Sequence, residues 1–552
     1  MDKKQILCWL FMFILLANCA PIFVPQSSMP TGATSLSATP SPIPDVTVTY
    51  TLTFTPTSFP PGFTPSPIPT PTFPPGSCHE GPIEELAFDL PDPSELKWEP
   101  VDNFQRLAGL NGPVHFAYPS PDGRWWVIEL VTKRDYSGYE YASEEALYVL
   151  DSLENKHWLA SVNGKDNFHR FDWFPNSDLI WIHDGQLYVA KADGQGKQAI
   201  QVPEPMIEVW LDKVTGNRAL VSGQSALWRL DLNTTIWDKV EGLESLAKNG
   251  EPPISRTQAN LRMSNDGNFG ALLADQQVWK VPMTFGEPAR KIGEVDYSEE
   301  SWRPQAPQPL ADSPYWYPGR DVYVPNPSNP QYSSLVLINE EDGSLLSLQD
   351  LVPPDFSSFG IFSLQISPDA HWIATYNGES HSLAAFYLLS TSQLIPGEAN
   401  GKIIRDVGGV LDWDPTEVRS SYAVQVNHPA IAFMLTGDPL AGTATLDQID
   451  LVTGETRTLK NLVYTDFIPV RRMTWVKSTP IFVEGEIIER IAEDGTLQRI
   501  GSIPELQPYE SPALLIGGTK DQLLFVTAVD KPIDNSCRTQ YSLYIAKLDS
   551  IK

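Results

Sequence analysis

The chain has 552 residues, with 39 Lys and Arg set against 68 Asp and Glu, and a formal net charge of −29. A field of that sign repels nucleic acid and anionic lipid surfaces and favours basic partners, so nucleic acid is excluded as a ligand class. Cysteine is sparse (8, 19, 78 and 537), and no Cys-x-x-Cys pair or Cys/His set at zinc spacing occurs.

Lys3 and Lys4 precede an apolar run from Ile6 to Leu16, followed by Leu16-Ala17-Asn18-Cys19. The run is shorter than the roughly 20 residues needed to cross a bilayer. A basic start, a short apolar core and small residues at its end make a secretory signal. The last four residues resemble the lipobox of bacterial lipoproteins, with Asn18 where Gly, Ala or Ser is usual. The resemblance implies that residues 1–18 are removed and that Cys19 becomes the first mature residue and carries a lipid. It also implies a place in the cell envelope facing away from the cytoplasm, with membrane contact through the lipid only. Cys8 then belongs to the discarded signal.

Residues 19–77 read as a disordered linker. Between Ala20 and Ser77 the only charged residue is Asp45, and Pro recurs in runs such as Pro65-Ser66-Pro67-Ile68-Pro69-Thr70-Pro71. That composition buries no core and favours polyproline II, which at about 3.1 Å per residue reaches on the order of 170 Å. Ser/Thr-rich stretches with Pro also suit O-glycans.

Residues 78–552 read as one folded domain. Cys78 and Cys537 lie near its two ends, and an exported chain works where disulfides persist, so a Cys78–Cys537 bond is expected. From about residue 112 a unit of short apolar strands recurs at irregular spacing. The fullest copy is Val114 to Ile128, with Ser120-Pro121-Asp122-Gly123 at its turn. Others start at Phe171, Leu261 and Leu364, with weaker ones near Glu208, Tyr315, Leu411, Met473 and Leu514. Pro presets the first corner of each turn, Asp-Gly supplies the left-handed one, and apolar residues alternate on both sides as in half-buried strands.

Repeated four-strand units predict an all-β fold, a β-propeller, in which each blade covers its neighbour. The Ser-Pro-Asp-Gly turns resemble the WD40-like repeats of the TolB and dipeptidyl-peptidase IV N-terminal propeller families. The resemblance spans most of residues 112–550, with one copy keeping all four residues. Neither the Gly-His/Trp-Asp signature of WD40 repeats nor a sialidase-type Asp box occurs. Nine candidate units are present, and since propellers usually have up to eight blades, about eight are expected. The last unit offers three strands, so Leu96 to Val101 is expected to supply its fourth and bring both termini into one blade.

No catalytic motif stands out. The hydrolase part of the dipeptidyl-peptidase family would bring a Gly-x-Ser-x-Gly elbow, but Gly223-Gln224-Ser225-Ala226-Leu227 lacks its last Gly and reads as a hairpin. Asp-Gly pairs at Asp122, Asp184, Asp193, Asp266, Asp342 and Asp494 lack a calcium-loop ladder and read as turns. His115, His169 and His371 read as packing or edge residues. Two loops combine aromatics with charges. Residues 132–145 hold Tyr136, Tyr139 and Tyr141 beside Arg134, Asp135, Glu144 and Glu145. Residues 294–313 hold Tyr297, Trp302 and Arg303 beside Asp296, Glu299 and Glu300. Rings beside carboxylates suit stacking on a sugar or peptide. Asp172-Trp173 and Asp412-Trp413-Asp414 read as core Trp between blades.

The expectation is a monomeric, non-catalytic, surface-anchored lipoprotein. Its propeller mouth would bind a protein, peptide or glycan through Tyr136, Tyr139, Tyr141, Tyr297, Trp302 and Arg303, with no cofactor and no metal. The alternative is a secreted glycan-active hydrolase with paired carboxylates in the channel.

Overall fold

The structure, a computed structural model, describes residues from Glu85 to Lys547, with interruptions of which the longest are 247–259, 296–305, 353–362 and 413–430. These residues belong to one unit, Phe73–Lys552, and form nine antiparallel sheets. In chain order the blades are 114–165, 171–200, 206–239, 260–294, 308–347, 363–406, 409–463 and 473–502. The ninth combines Glu510–Gly518, Gln522–Ile533 and Ser536–Lys547 with Phe104–Ala108 and Lys97–Val101. The chain is therefore a β-propeller, with one sheet for each of the nine candidate units rather than about eight. Helical structure among the described residues is confined to 3₁₀ turns, Leu348–Leu351, Thr391–Gln393 and a turn that includes Leu246.

The second strands of blades 1 to 4 are buried on both faces, so they read as continuous apolar runs rather than as the alternation expected of half-buried strands. Successive residues feed different cores. Trp126, Ile128 and Leu130 pack toward blade 9 with Leu524, Val526 and Leu543, while Trp125 and Val127 pack toward blade 2 with Trp173, Leu179 and Trp181. Ile180 and Ile182 then meet Val209, Leu211 and Val221 of blade 3. Equivalent clusters join blades 3 and 4, 4 and 5, 5 and 6, and 8 and 9. The core shared by blades 9 and 1 closes the ring.

The first strand of each blade is innermost: Met206–Leu211 runs beside both Phe171–Trp173 and Asn260–Met263. The turn after it carries the repeat's chemistry. Ser120 Oγ bonds Asp122 at 2.5 Å and accepts the Trp125 N–H at 2.9 Å, while Asp122 accepts the Arg124 N–H at 3.0 Å. Ser264 and Asp266 repeat this with Asn268 and Phe269. Ser367 takes the Trp372 N–H in the same way at 2.9 Å.

Closure differs from expectation by one strand. Phe104–Ala108 pairs with Ser536–Lys547 and is the fourth strand of blade 9, and Lys97–Val101 lies beyond it as a fifth. Before them Glu85–Ala87 pairs with Lys133–Asp135 of blade 1. Residues 88–96 link the two blades: the Phe88 N–H reaches Thr132 O, the Tyr148 hydroxyl donates to Pro91 O, and Leu96 is buried in the core shared by blades 9 and 1. Burial pushes the Tyr148 phenol up to about 12.

Candidate binding site

Antiparallel blades place their loops on two faces. The link from one blade to the next and the hairpin between second and third strands share one face, the mouth; the remaining turns lie on the other. Both aromatic loops of the sequence have flanks on the mouth face. The first is bounded by the pair Asp135↔Ala142, the second by the end of Arg290–Glu294 and the start of Gln308–Pro309. Tyr136, Tyr139, Tyr141, Tyr297, Trp302 and Arg303 themselves lie outside the described residues. Arg134 and Asp135 are the last two residues of Trp125–Asp135. Glu145 is buried and Glu144 half-buried.

The described chemistry of the inner wall concentrates in blades 1 to 3. Asp172, on the innermost strand of blade 2, is 5% exposed. Its Oδ2 accepts the Leu211 N–H of blade 3 at 2.9 Å, its Oδ1 accepts the Trp173 N–H at 3.0 Å, and the Lys213 ammonium donates to it. Burial pushes Lys213 well below the usual lysine range. His169 stands at the head of the same strand. Its ring lies nearly parallel to those of Phe171 and Trp210 at 6.3 and 6.0 Å, and its Nε2 is 3.7 Å from Asp172 Oδ2. The His169 N–H donates to Glu208 Oε1 at 3.2 Å, and burial pushes the Glu208 carboxyl up to about 7, despite bonds from His169 and Ser222 that act the other way. The wall thus holds a carboxyl raised by burial that meets His169 through the backbone N–H, while the imidazole ring stacks on Phe171 and Trp210.

A second charged group lies between blades 1 and 2. Glu129 and Glu145 are 9% and 3% exposed. They are diagonal neighbours on one face, since Glu129 opposes Leu147 and Val131 opposes Glu145. Arg170 of blade 2 faces them: burial lowers its pKa, and the charges of Glu145 and Glu129 raise it again. A carboxylate pair of this kind, held by a guanidinium, serves as an interior ion cluster more readily than as an acid and its nucleophile.

Other sequence readings find definite places. Trp173 is 1% exposed in the core between blades 1 and 2, as a core Trp should be. Gly223–Leu227 is a hairpin turn in which Glu204 accepts the Ser225 N–H and hydroxyl, the Ala226 N–H and the Trp228 Nε1–H, at 2.9, 2.5, 3.1 and 2.7 Å. Ser225 is thus committed to a turn, its hydroxyl held by the same Glu204 carboxylate that caps the turn's N–H groups. Asp122, Asp193, Asp266 and Asp342 accept N–H groups two residues on, as turn residues do, and Asp184 adopts φ 50°. Among the described residues no group of three or more His, Cys, Asp or Glu is placed to hold a metal ion. His371 sits 3.4 Å from Asp312 at an exposed edge. His115 lies on Val114–Pro119, with its side chain outside the description. Trp413, Asp414, Asp494, Cys19 and Cys78 lie outside the described residues, and Cys537 is placed by its backbone opposite Pro532.

Sequence reasoning passed over Glu208, Arg170 and Lys213. Each is a single charge in an apolar or turn setting, and only the packing of the next blade buries it.

No protein-family model matches the chain, and no curated protein matches it. Among solved structures it is similar to tricorn protease (TM-score 0.34, 8% identity, covering 75% of this chain and 47% of that one). It is also similar to an oligogalacturonate lyase in complex with manganese (TM-score 0.30, 11% identity, covering 64% and 98%). A third likeness is to a TolB-type protein from Agrobacterium tumefaciens (TM-score 0.24, 15% identity, covering 48% and 85%). The chain spans about half the length of the tricorn protease chain, which it covers to 47%. Identities of 15% and below transfer no chemistry to its side chains.

Proposed function

We propose that the protein is a lipoprotein anchored through Cys19 at the outer side of a cell membrane, and that its propeller is a non-catalytic scaffold binding a protein, peptide or glycan at the mouth. The observation that supports this reading is the convergence of both aromatic loops on one face: the strands flanking 136–141 and 295–307 end at the same edge of their blades. The opposite face is made chiefly of short turns whose Ser and Asp side chains are consumed within the turn. Binding rides on variable loops held by a rigid scaffold.

The hydrolase reading retains one observation in its favour, the raised carboxyl of Glu208 beside His169. Against it, the carboxylate 3.7 Å from the His169 ring, Asp172, is paired with Lys213 and accepts the Leu211 N–H.

The test is thermal unfolding of the full folded chain against glycans, peptides and divalent metals. A ligand at 100 times its Kd adds about 2.7 kcal/mol and raises the midpoint. The scaffold reading expects a shift with one glycan or peptide class that Tyr139→Ala and Trp302→Ala abolish. A shift that survives both substitutions but is lost in Glu208→Gln, accompanied by glycan cleavage, overturns it in favour of the hydrolase. Lipid attachment is read separately, as radiolabelled fatty acid incorporated by the wild type and not by Cys19→Ala.

A further inference from the structure

The two blades beside the closure seam stand taller at the mouth than their neighbours. In blade 1 the second and third strands have 11 and 10 residues, and in blade 9 both have 12, against 5 and 5 in blade 2. In blade 1 the extra height is covered, because Glu85–Ala87 pairs with Lys133–Asp135. In blade 9 it is not covered by any described residue. Ser536–Lys547 pairs along its whole length with Gln522–Ile533 on one side, but on the outer side its ladder to Phe104–Ala108 is limited to Tyr544 and Ile545. Ser536–Tyr541 thus presents an outer row of backbone donors and acceptors with no described strand against it. Folded proteins cover or blunt such edges.

We propose that residues 78–84 cover this edge in cis and are locked there by a disulfide between Cys78 and Cys537. Three observations carry the assignment. The chain enters the described fold at Glu85, on the mouth side of blade 1, and blade 1 shares a core with blade 9. Cys78 lies seven residues before Glu85, a span that reaches on the order of 24 Å when extended. Cys537 is the second residue of the uncovered strand, opposite Pro532. The composition of the segment agrees. Pro82 lacks an N–H and is confined to an edge position, while Glu80 and Glu84 complement Lys531 and Arg538 of the blade 9 hairpin. The Cys78 and Cys537 thiols become one S–S bond, and their two protons and two electrons pass by thiol–disulfide exchange to a disulfide oxidant, either an oxidoreductase of the export compartment or oxidised glutathione. This assignment is independent of which ligand the mouth takes.

The experiment uses the full chain, purified reduced and equilibrated with oxidised glutathione, so that its outcome does not depend on export or lipidation. Free thiols are alkylated without reduction, and the digest is read by mass spectrometry. The expected result is a linked peptide pair containing Cys78 and Cys537. Both cysteines alkylated as free thiols overturns the proposal. Hydrogen exchange at Arg538–Tyr541 tests the covering separately. The expected result is protection of the outward-directed amides in the oxidised chain, falling at least tenfold in the Cys78→Ser/Cys537→Ser variant, with the cores of blades 2 to 4 unchanged as a control for folding. Outward-directed amides that exchange at unprotected rates in the disulfide-bonded chain overturn the covering.

Discussion

Asp172 Oδ2 accepts the Leu211 N–H at 2.9 Å, so a side chain of blade 2 satisfies the backbone of blade 3, and the same carboxylate holds the buried Lys213. Removing one partner of a buried pair strands the other charge, which typically costs 3–5 kcal/mol. Asp172→Ala is therefore expected to lower stability by about 3 kcal/mol or more. Asp172→Ala combined with Lys213→Met is expected to cost less than that single change, because no ammonium is left without its counter-charge. Denaturant unfolding of the two singles and the double forms the cycle; additive losses would show that the pair is not coupled.

Two glycines with similar backbone angles separate conformational strain from crowding. Gly267 has φ +69°, and a Cβ there would fall 2.1 Å from Asp212 Oδ1. Asp212 is fully buried and already receives the Val214 and Thr215 N–H groups, the Thr215 hydroxyl and Arg218. Gly286 has φ +74° with nothing within 4 Å of the added carbon. Gly286→Ala is expected to cost about 1 kcal/mol from the left-handed backbone alone. Gly267→Ala is expected to cost about 3 kcal/mol or more, since a buried carboxylate and the contact between blades 3 and 4 must move. Equal midpoint losses in thermal unfolding would refute the crowding argument.

The seam gives a third test. Trp98, on the outermost strand of blade 9, donates Nε1–H to Asp151 O of blade 1 at 2.7 Å, and its N–H reaches Asn155 Oδ1 at 2.8 Å. Trp98→Ala is expected to cost about 3–5 kcal/mol through lost packing. Trp98→Phe keeps most of the packing and loses the indole bond, for about 1–2 kcal/mol. Limited proteolysis should release the first 110 residues from the alanine variant first, because the strand it loosens is the outermost of blade 9 and pairs with the closing strand Phe104–Ala108.

The repeat unit was legible in the sequence because its turn is local. Ser120, Asp122 and Gly123 bond within five residues, and any chain with that spacing makes the same corner. The copies at Val114, Phe171, Leu261 and Leu364 fall on the first strands of their blades, whereas the start read near Tyr315 is the second strand of its blade, after Gln308–Pro309. The closing strand was misjudged by one hairpin because Lys97–Val101 and Phe104–Ala108 are both plausible strands, and only pairing with Ser536–Lys547, more than 400 residues later, decides between them. The charged wall was not legible at all. Nothing near Glu208 in sequence raises its pKa; burial by the packed blades does so, and its His169 contact comes from 39 residues away.

Opposed titrations make the last prediction. Burial holds His157 at about 4, against 6.5 in the unfolded chain, and neither ring nitrogen has a hydrogen-bond partner. Above pH 6.5 both states are neutral; as pH falls from 6.5 to about 4 the unfolded chain takes up a proton that the fold refuses, and stability is lost. Glu208 acts in the opposite sense. Its carboxyl is raised to about 7 from 4.5, so its contribution is complete below pH 4.5 and is lost as pH rises toward 7. Each effect is on the order of 3 kcal/mol, and between pH 4.5 and 6.5 the two slopes oppose. His157→Phe should therefore resist acid and decline in stability from pH 4.5 toward 7, while Glu208→Gln should gain stability steadily from pH 4 to 6.5. Denaturant midpoints measured across pH 4–8 on the wild type and both variants check this, and profiles that run parallel for all three proteins would rule out burial as the cause of either shift.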